Sequence, residues 1–526
     1  MSKNNDVALF PFDEERDAQT DLMGDIAFCL RNKVHCIAHA PTGLGKTVAV
    51  LAPALKYAID NKKTVFFLTS RHTQHHIAIA TLRAIKEKHG VNVAAVDLIG
   101  KQYMCPVTGV TNLHSGDFHD YCEKQRDEGK CGFYCKTRKS NKLTAEAKDA
   151  MDRMLDMSPL HVEDFKEITK NEEFCTYELA SSMGSKARVI VADYYTIFHS
   201  MVSSTFLKKT ALTLDNAIVI IDEAHNLPSR IRSLLTSQIS SAVVKRSIKE
   251  AEKYELEDAL MKLKEIESIL HELSENVGLG EEMLLKKDDF ISRIEEIGDY
   301  DELIEDIENA ADIVREKEKQ SAMKSISRFL EMWKGCDEAH VRFVSKRQSH
   351  KGDVVVIHYH CLDPSIQTKN VIEQCHSVIA MSGTLRPTAM YRDILGFPER
   401  TMEREYESPF PHENRLNMII PETTTKYSLR NDDQFKRMAE IIAEATNEVP
   451  GNCAVFFPSY YLRDQVYKFL HDLSEKTAFV EQQEMTKEEK AEFLERFKSY
   501  HNTGAVLLGA MTGSYGEGID LPGDFL

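Results

Sequence analysis

The stretch HCIAHAPTGLGKTVAVLAPAL, residues 35–55, is the strongest constraint on the fold. An apolar run leads into a glycine-rich turn, and a helix-forming segment follows. A strand, a tight loop and a helix in that order turn backbone N–H groups toward a bound anion at the helix N-terminus. Lys46 is expected to reach the β- and γ-phosphates of a nucleotide, and Thr47 to offer its hydroxyl to Mg2+. Pro41, Thr42, Gly43, Leu44 and Gly45 form the rest of the cradle. The first position is Ala40, where such loops usually carry glycine. The bland alternative is a glycine-rich turn that binds nothing.

Similar apolar runs recur along the chain: TVFFL at 64–68, RVIVA at 188–192, AIVIID at 217–222, SVIAMSG at 377–383, AVFFPS at 454–459 and AVLLGA at 505–510. Runs this uniformly apolar suit parallel strands covered on both faces, so the fold class is α/β. One run ends in VIIDEAHN (219–226), which puts two carboxylates at the carboxyl end of a strand, where open α/β sheets bind ligands. Asp222 is suited to hold Mg2+, and Glu223 to orient or deprotonate an attacking water. Together with the loop at 40–47, the pair points to NTP hydrolysis, with Lys46, Asp222 and Glu223 as catalytic residues. Upstream, FPFDEERDAQ supplies Arg16 and Gln19. A Gln amide can pair with adenine and favour ATP; a surface helix start reads equally well.

Two stretches break the rhythm. Residues 240–365 are rich in Glu, Lys and Leu, and Leu256, Leu260, Leu263, Ile266, Leu270 and Leu273 follow a helical period. This reads as a helical insertion with solvated charged faces. It carries much of the acid behind the net charge of −17, so that charge does not exclude a local nucleic-acid groove elsewhere. Residues 101–180 are polar and hold Cys105, Cys122, Cys131, Cys135 and Cys175. The N-terminus has no apolar signal core, and no uncharged run approaches the roughly 18–20 residues that a bilayer requires. A cytoplasmic protein is expected (nuclear in a eukaryote), and there clustered thiols favour a metal or redox centre over disulfides. Four soft thiolates suit Zn2+ or an iron–sulfur cluster, and the spacing lacks the paired CxxC knuckles of a zinc ribbon.

DEAH together with APTGLGKT resembles superfamily 2 helicases. FLTSRHTQ (67–74) resembles their motif Ia, MSGTL (381–385) motif III, VFFPSYYL (455–462) motif IV, and GSYGEGIDLPG (513–523) motif V. Cysteines in GKQYMCP, YCEK, CGFY and FCTYELA, all between the P-loop and DEAH, narrow the resemblance to the XPD family and its DinG-like relatives, of archaeal type. That resemblance implies a 4Fe-4S cluster on Cys105, Cys122, Cys131 and Cys175, with Cys135 as the alternative to Cys131. It also implies ATP and Mg2+ as cofactors and a monomer acting on single-stranded and forked DNA with 5′ to 3′ polarity, in DNA repair.

The expected organisation is two RecA-like motor domains. The first comprises 1–100, 181–239 and 366–390, interrupted by a cluster domain (101–180) and a helical arch (240–365). The second spans 391–526. His225 and Thr384 would relay the state of the phosphate site, Gly516 and Glu517 would respond from the second motor domain, and Arg16, Gln19, His225, Gly516 and Asp520 are expected among the nucleotide-binding residues. Arg71, His72, Tyr194, Tyr195 and the KTRKSNK run (136–142) are candidate DNA contacts. The QxxGRxxR arginine motif of such helicases is not found before the sequence ends at DFL, so the second motor domain is expected to be truncated and slow on its own. The rival reading is a nucleotide-gated DNA-binding or scaffold protein that does not unwind.

Overall fold

A computed structural model describes residues 8–526 except 71, 114, 319, 350, 351, 415, 517, 518 and 520. The chain divides into two compact units, Met1–Phe410 and Pro411–Leu526.

The first unit is built on a seven-stranded, wholly parallel sheet. Its spatial order is Met402–Glu405, Cys36–His39, Ser377–Ser382, Ala217–Asp222, Thr64–Thr69, Val189–Asp193, Ala95–Asp97. Alternate residues serve the two faces, as the pleat requires. Phe66, Leu68, Ile190, Val219 and Ile221 enter one buried cluster, and Val65, Phe67, Val189, Ile218 and Ile220 enter the other. Double coverage explains why these strands read as unbroken apolar runs.

Residues 391–410 belong to this first unit, which corrects the expected boundary at 390. Met402–Glu405 pairs in parallel with Cys36–His39 and forms the sheet edge. With the charged sequence MERE and partly exposed side chains, this edge strand carries none of the apolar signal of the central strands.

The two insertions are built differently. Between residues 101 and 180, helices Ala145–Met157, Val162–Asn171 and Thr176–Met183 bury Met154, Phe165 and Leu179 in the same cluster as one face of the motor sheet. The second insertion has a core of its own, centred on Trp333, Phe290 and Phe329, whose rings lie 5.2 to 6.0 Å apart. Its expected helices are present, and Leu263, Ile266, Leu270 and Leu273 are buried along Glu257–Leu273. It is not purely helical, however. Four antiparallel strands, in the order Ser237–Ser240, Gly352–Cys361, His340–Ser349, Glu282–Leu284, close one side. In the long hairpin, His340–Ser349 is largely polar, with Arg342 and Val344 buried, while Gly352–Cys361 buries the short apolar run at Val355, Val356 and Ile357.

The second unit holds three parallel strands, in the order Cys453–Phe457, Ala505–Ala510, Thr477–Val480. Helices Asp432–Glu448, Tyr460–Leu470 and Lys487–Lys498 accompany them. Asn431, Ser459 and Thr486 cap these helices by accepting backbone N–H groups of their first turns. Among the described residues no helix is long and apolar enough to cross a membrane.

Candidate nucleotide site

Strand order decides the site. Cys36–His39, Ser377–Ser382 and Ala217–Asp222 are consecutive in the sheet, and their pairing sets His39 opposite Ser382 and Met381 opposite Asp222. The P-loop, the SGT turn and the DEAH turn therefore leave the same sheet edge side by side.

Gly43 and Gly45 have φ of +84° and +81°, a left-handed backbone that only glycine adopts without strain. Gly45 caps the helix Lys46–Asp60, so the helix begins at the lysine. Thr47 is half-buried in the first turn, and the Leu44 side chain is buried, leaving only its backbone to the loop. Pro41 and Thr42 lead into the turn, and a Cβ placed on Gly383 would lie 3.5 Å from the Thr42 amide nitrogen. Arg16 donates a guanidinium N–H to the Gly43 carbonyl. Gln19 is buried, and its Oε1 accepts from the Arg16 amide at 3.1 Å. Its amide nitrogen occupies the space a Cβ on Gly45 would fill. The Gln19 side chain thus braces the P-loop here.

Opposite the loop, Lys46 Nζ stands 3.7 Å from Glu223 Oε1. Glu223 is in the left-handed region, with φ +47°. Its Oε2 accepts from Ser382 Oγ at 2.6 Å and lies 3.3 Å from His225 Nδ1, which is itself 2.8 Å from Ser382 Oγ. The Thr384 amide donates to the same hydroxyl at 3.3 Å. Burial opposes ionisation of Glu223, but the His225 hydrogen bond, the Lys46 charge and the Ser382 hydroxyl outweigh it and hold this carboxyl well below its usual range. Asp222 shifts the other way, raised by burial and by the neighbouring Glu223. Two adjacent carboxyls are thereby driven apart: Glu223 is held ionised, and Asp222 holds a proton more readily unless a cation lies beside it.

Two contributors escaped sequence reading. Ser382 sits in the quoted MSGTL, yet Thr384 drew the attention; the serine, not the threonine, contacts Glu223 and His225. Tyr194, a candidate for base stacking, is buried, and its hydroxyl reaches the Asp222 carbonyl at 2.5 Å and the Glu223 carbonyl at 2.9 Å. It supports the DEAH turn from beneath and has no face to offer a base. Tyr195 is half-buried at the start of Tyr195–Phe198. In KTRKSNK, Arg138 is committed to Glu178 and Ser182, so it is not a free phosphate contact; Lys139 and Lys142 are exposed. Arg71, Glu517, Asp520 and the His72 side chain lie outside the described residues. Gly516 is hemmed in: a Cβ there would lie 2.3 Å from the Met511 carbonyl oxygen.

The cysteines converge without forming a metal-ligating geometry. Among the described residues, no three His, Cys, Asp or Glu side chains are arranged to hold a metal ion. Even so, Cys105, Cys122, Cys131 and Cys175 are free, half-buried thiols. Burial raises Cys105, and Cys122 and Cys131 raise it further; burial pushes Cys175 to about 12, with Cys122 and Cys105 adding to it. Cys131 and Cys175 cap two short helices, and the Cys175 amide donates to the Phe133 carbonyl, which brings these helix starts together. Cys135 is exposed, its Sγ 3.6 Å from the Gly129 carbonyl oxygen. Cys105 and Cys175, whose ionisation burial opposes, fit a cationic thiolate-bound centre, whose charge would reverse that opposition.

The DEAD_2 family model matches residues 67–244, and the Helicase C-terminal domain model matches 442–526. The ATP-dependent DNA helicase XPD of Sulfolobus acidocaldarius is 25% identical, over 96% of this chain and 82% of the relative. The general transcription and DNA repair factor IIH helicase subunit XPD of Arabidopsis thaliana is 22% identical, over 98% of this chain and 80% of its own length. A solved XPD helicase structure matches in fold with a TM-score of 0.62 at 21% identity, covering 97% of this chain and 83% of that one. With DEAD_2 and Helicase C-terminal domains, P-loop, DEAH and SGT turns at one sheet edge and a similarity that runs over nearly its whole length, the chain resembles the XPD helicases.

Proposed function

We propose that the chain is an ATP-dependent DNA helicase that moves 5′ to 3′ along single-stranded DNA, parts duplex and forked DNA, and serves DNA repair. The observation that carries the reading is the Lys46–Glu223–Ser382–His225 group at three adjacent strand ends. Glu223, kept ionised, orients a water and accepts its proton, while Lys46 draws charge from the β- and γ-phosphates. Loss of the γ-phosphate changes what Lys46 and Glu223 face. Ser382 passes that change to the SGT turn through the Thr384 amide, and His225 passes it to the DEAH turn. Thr47 and Asp222 would hold Mg2+, which neutralises phosphate charge when bound. Cys105, Cys122, Cys131 and Cys175 would hold a 4Fe-4S cluster, which stiffens the insertion at 101–180 when present. The segment at 240–365 is read as the arch beside it.

Strand displacement on 5′-tailed and 3′-tailed duplexes tests polarity, together with DNA-stimulated ATP turnover and an iron and sulfide count. Unwinding of the 5′-tailed substrate alone is expected. ATP turnover and DNA binding with neither substrate opened would leave a nucleotide-gated DNA-binding protein. Cys105→Ser should empty the iron site and reduce unwinding much more than ATP turnover. Full unwinding by iron-free protein would sink the cluster's role.

A further inference from the structure

Glu481 is fully buried at the end of the strand Thr477–Val480 in the second unit. A carboxylate withdrawn from water is costly unless strong donors meet it. Its Oε2 accepts from the Ala510 amide at 3.1 Å, and its Oε1 from the Ser514 amide at 2.5 Å. The Tyr460 hydroxyl hydrogen-bonds to the same carboxylate. Gly513 lies so close that a Cβ there would be 2.4 Å from Glu481 Oε2 and 2.7 Å from the Tyr460 hydroxyl. At the backbone, the Glu481 amide donates to Leu508, and its carbonyl accepts from the buried Arg463.

These contacts join two stretches far apart in sequence. Tyr460 opens the helix Tyr460–Leu470, within VFFPSYYL. Ala510 to Ser514 is the turn that leads from the strand Ala505–Ala510 into GSYGEGIDLPG. The turn is tight in its own right: the Gly513 amide donates to the Ala510 carbonyl, and Gly516 has no room for a side chain against Met511. Two charge-assisted N–H bonds on one carboxylate specify where the turn's backbone lies more sharply than an apolar contact could.

We infer that Glu481 is a positioning residue that clasps the motif IV-like helix start and the motif V-like turn, fixing the backbone shape from which GSYGEGID acts. The inference rests on the helicase reading for its functional consequence, while the clasp itself is tested independently. Glu481→Gln keeps size but presents an amide N–H to one of the two backbone donors, so one hydrogen bond becomes a repulsion. Glu481→Asp keeps the charge and should recover part of the effect. A reference variant, Asn452→Ser, removes a buried polar bridge at the far end of the same strand, where Asn452 accepts from the Ala505 amide and donates to the Phe497 carbonyl.

Amide hydrogen exchange across 510–516 is measured in all four proteins, along with ATP turnover against single-stranded DNA concentration. In Glu481→Gln, exchange in this segment should quicken by about tenfold or more, and the DNA concentration for half-maximal turnover should rise by about tenfold, with ATP affinity unchanged. Asn452→Ser should lower thermal stability without shifting the DNA dependence. Unchanged exchange in Glu481→Gln overturns the clasp. Altered exchange with a DNA dependence matching Asn452→Ser overturns its functional role. If the unmutated protein shows no DNA-stimulated turnover, the helicase reading fails, and exchange alone decides the clasp.

Discussion

The two insertions of the first unit meet the motor sheet in different ways. The thiol-bearing insertion shares its core with the sheet: Met154, Phe165 and Leu179 lie in one cluster with Phe66, Val219 and Ile221. The segment from 237 to 361 closes on itself around Trp333 and touches the thiol-bearing insertion through charge. There Arg315 reaches Asp117 at 3.5 Å and also pairs with Asp120. A shared core transmits displacement, because packed interiors hardly compress. An ion-pair contact between separately packed bodies lets one move against the other. The thiol-bearing insertion is therefore mechanically part of the nucleotide-binding body, and the segment 237–361 is attached to it.

The widest separation between the two comes from cavities. Phe165→Ala and Trp333→Ala should each lower stability by about 3–5 kcal/mol. Only Phe165→Ala should also depress ATP turnover, because only its cavity opens beneath the motor sheet. Denaturant unfolding and turnover at a temperature where both variants stay folded check this; equal losses of turnover would erase the distinction. Next in size, Lys46→Ala should cut ATP turnover about 10²–10³-fold with little change in melting temperature, which separates site chemistry from both insertions.

A pH series addresses the sheet itself. His35 is buried at the head of Cys36–His39 and accepts the Val378 amide on Nδ1 at 3.0 Å, so it folds neutral. Burial lowers it to about 4, aided by Arg400 and His376. The unfolded chain thus binds this proton first as pH falls. The stability His35 contributes is complete above about 6.5 and is lost as pH drops toward 4, by up to about 3 kcal/mol. Urea midpoints across that window should fall more steeply for the unmutated protein than for His35→Asn, and parallel slopes would refute it. The smallest effect is expected from Tyr194→Phe. Removing the hydroxyl leaves the Asp222 and Glu223 carbonyls without that donor, about 1–3 kcal/mol. It should appear in kcat more than in KM for ATP, and a KM effect alone would place Tyr194 outside the DEAH support.

The sequence by itself determined the α/β class, the P-loop and DEAH turns and a segment dense in cysteines. Each depends on local chemistry: apolar runs long enough to be buried on both faces, glycines where φ must be positive, carboxylates ending a strand, thiols grouped in one segment. Tertiary structure alone decided which strand ends are neighbours, and so that Ser382 bonds Glu223 while Thr384 stands behind it. It turned Tyr194 and Gln19 into buried supports, added Met402–Glu405 to the sheet edge and gave Glu481 its two backbone donors. Those facts depend on residues far apart in sequence meeting in space. A charged edge strand or a single buried carboxylate carries no periodic signal that announces such a meeting.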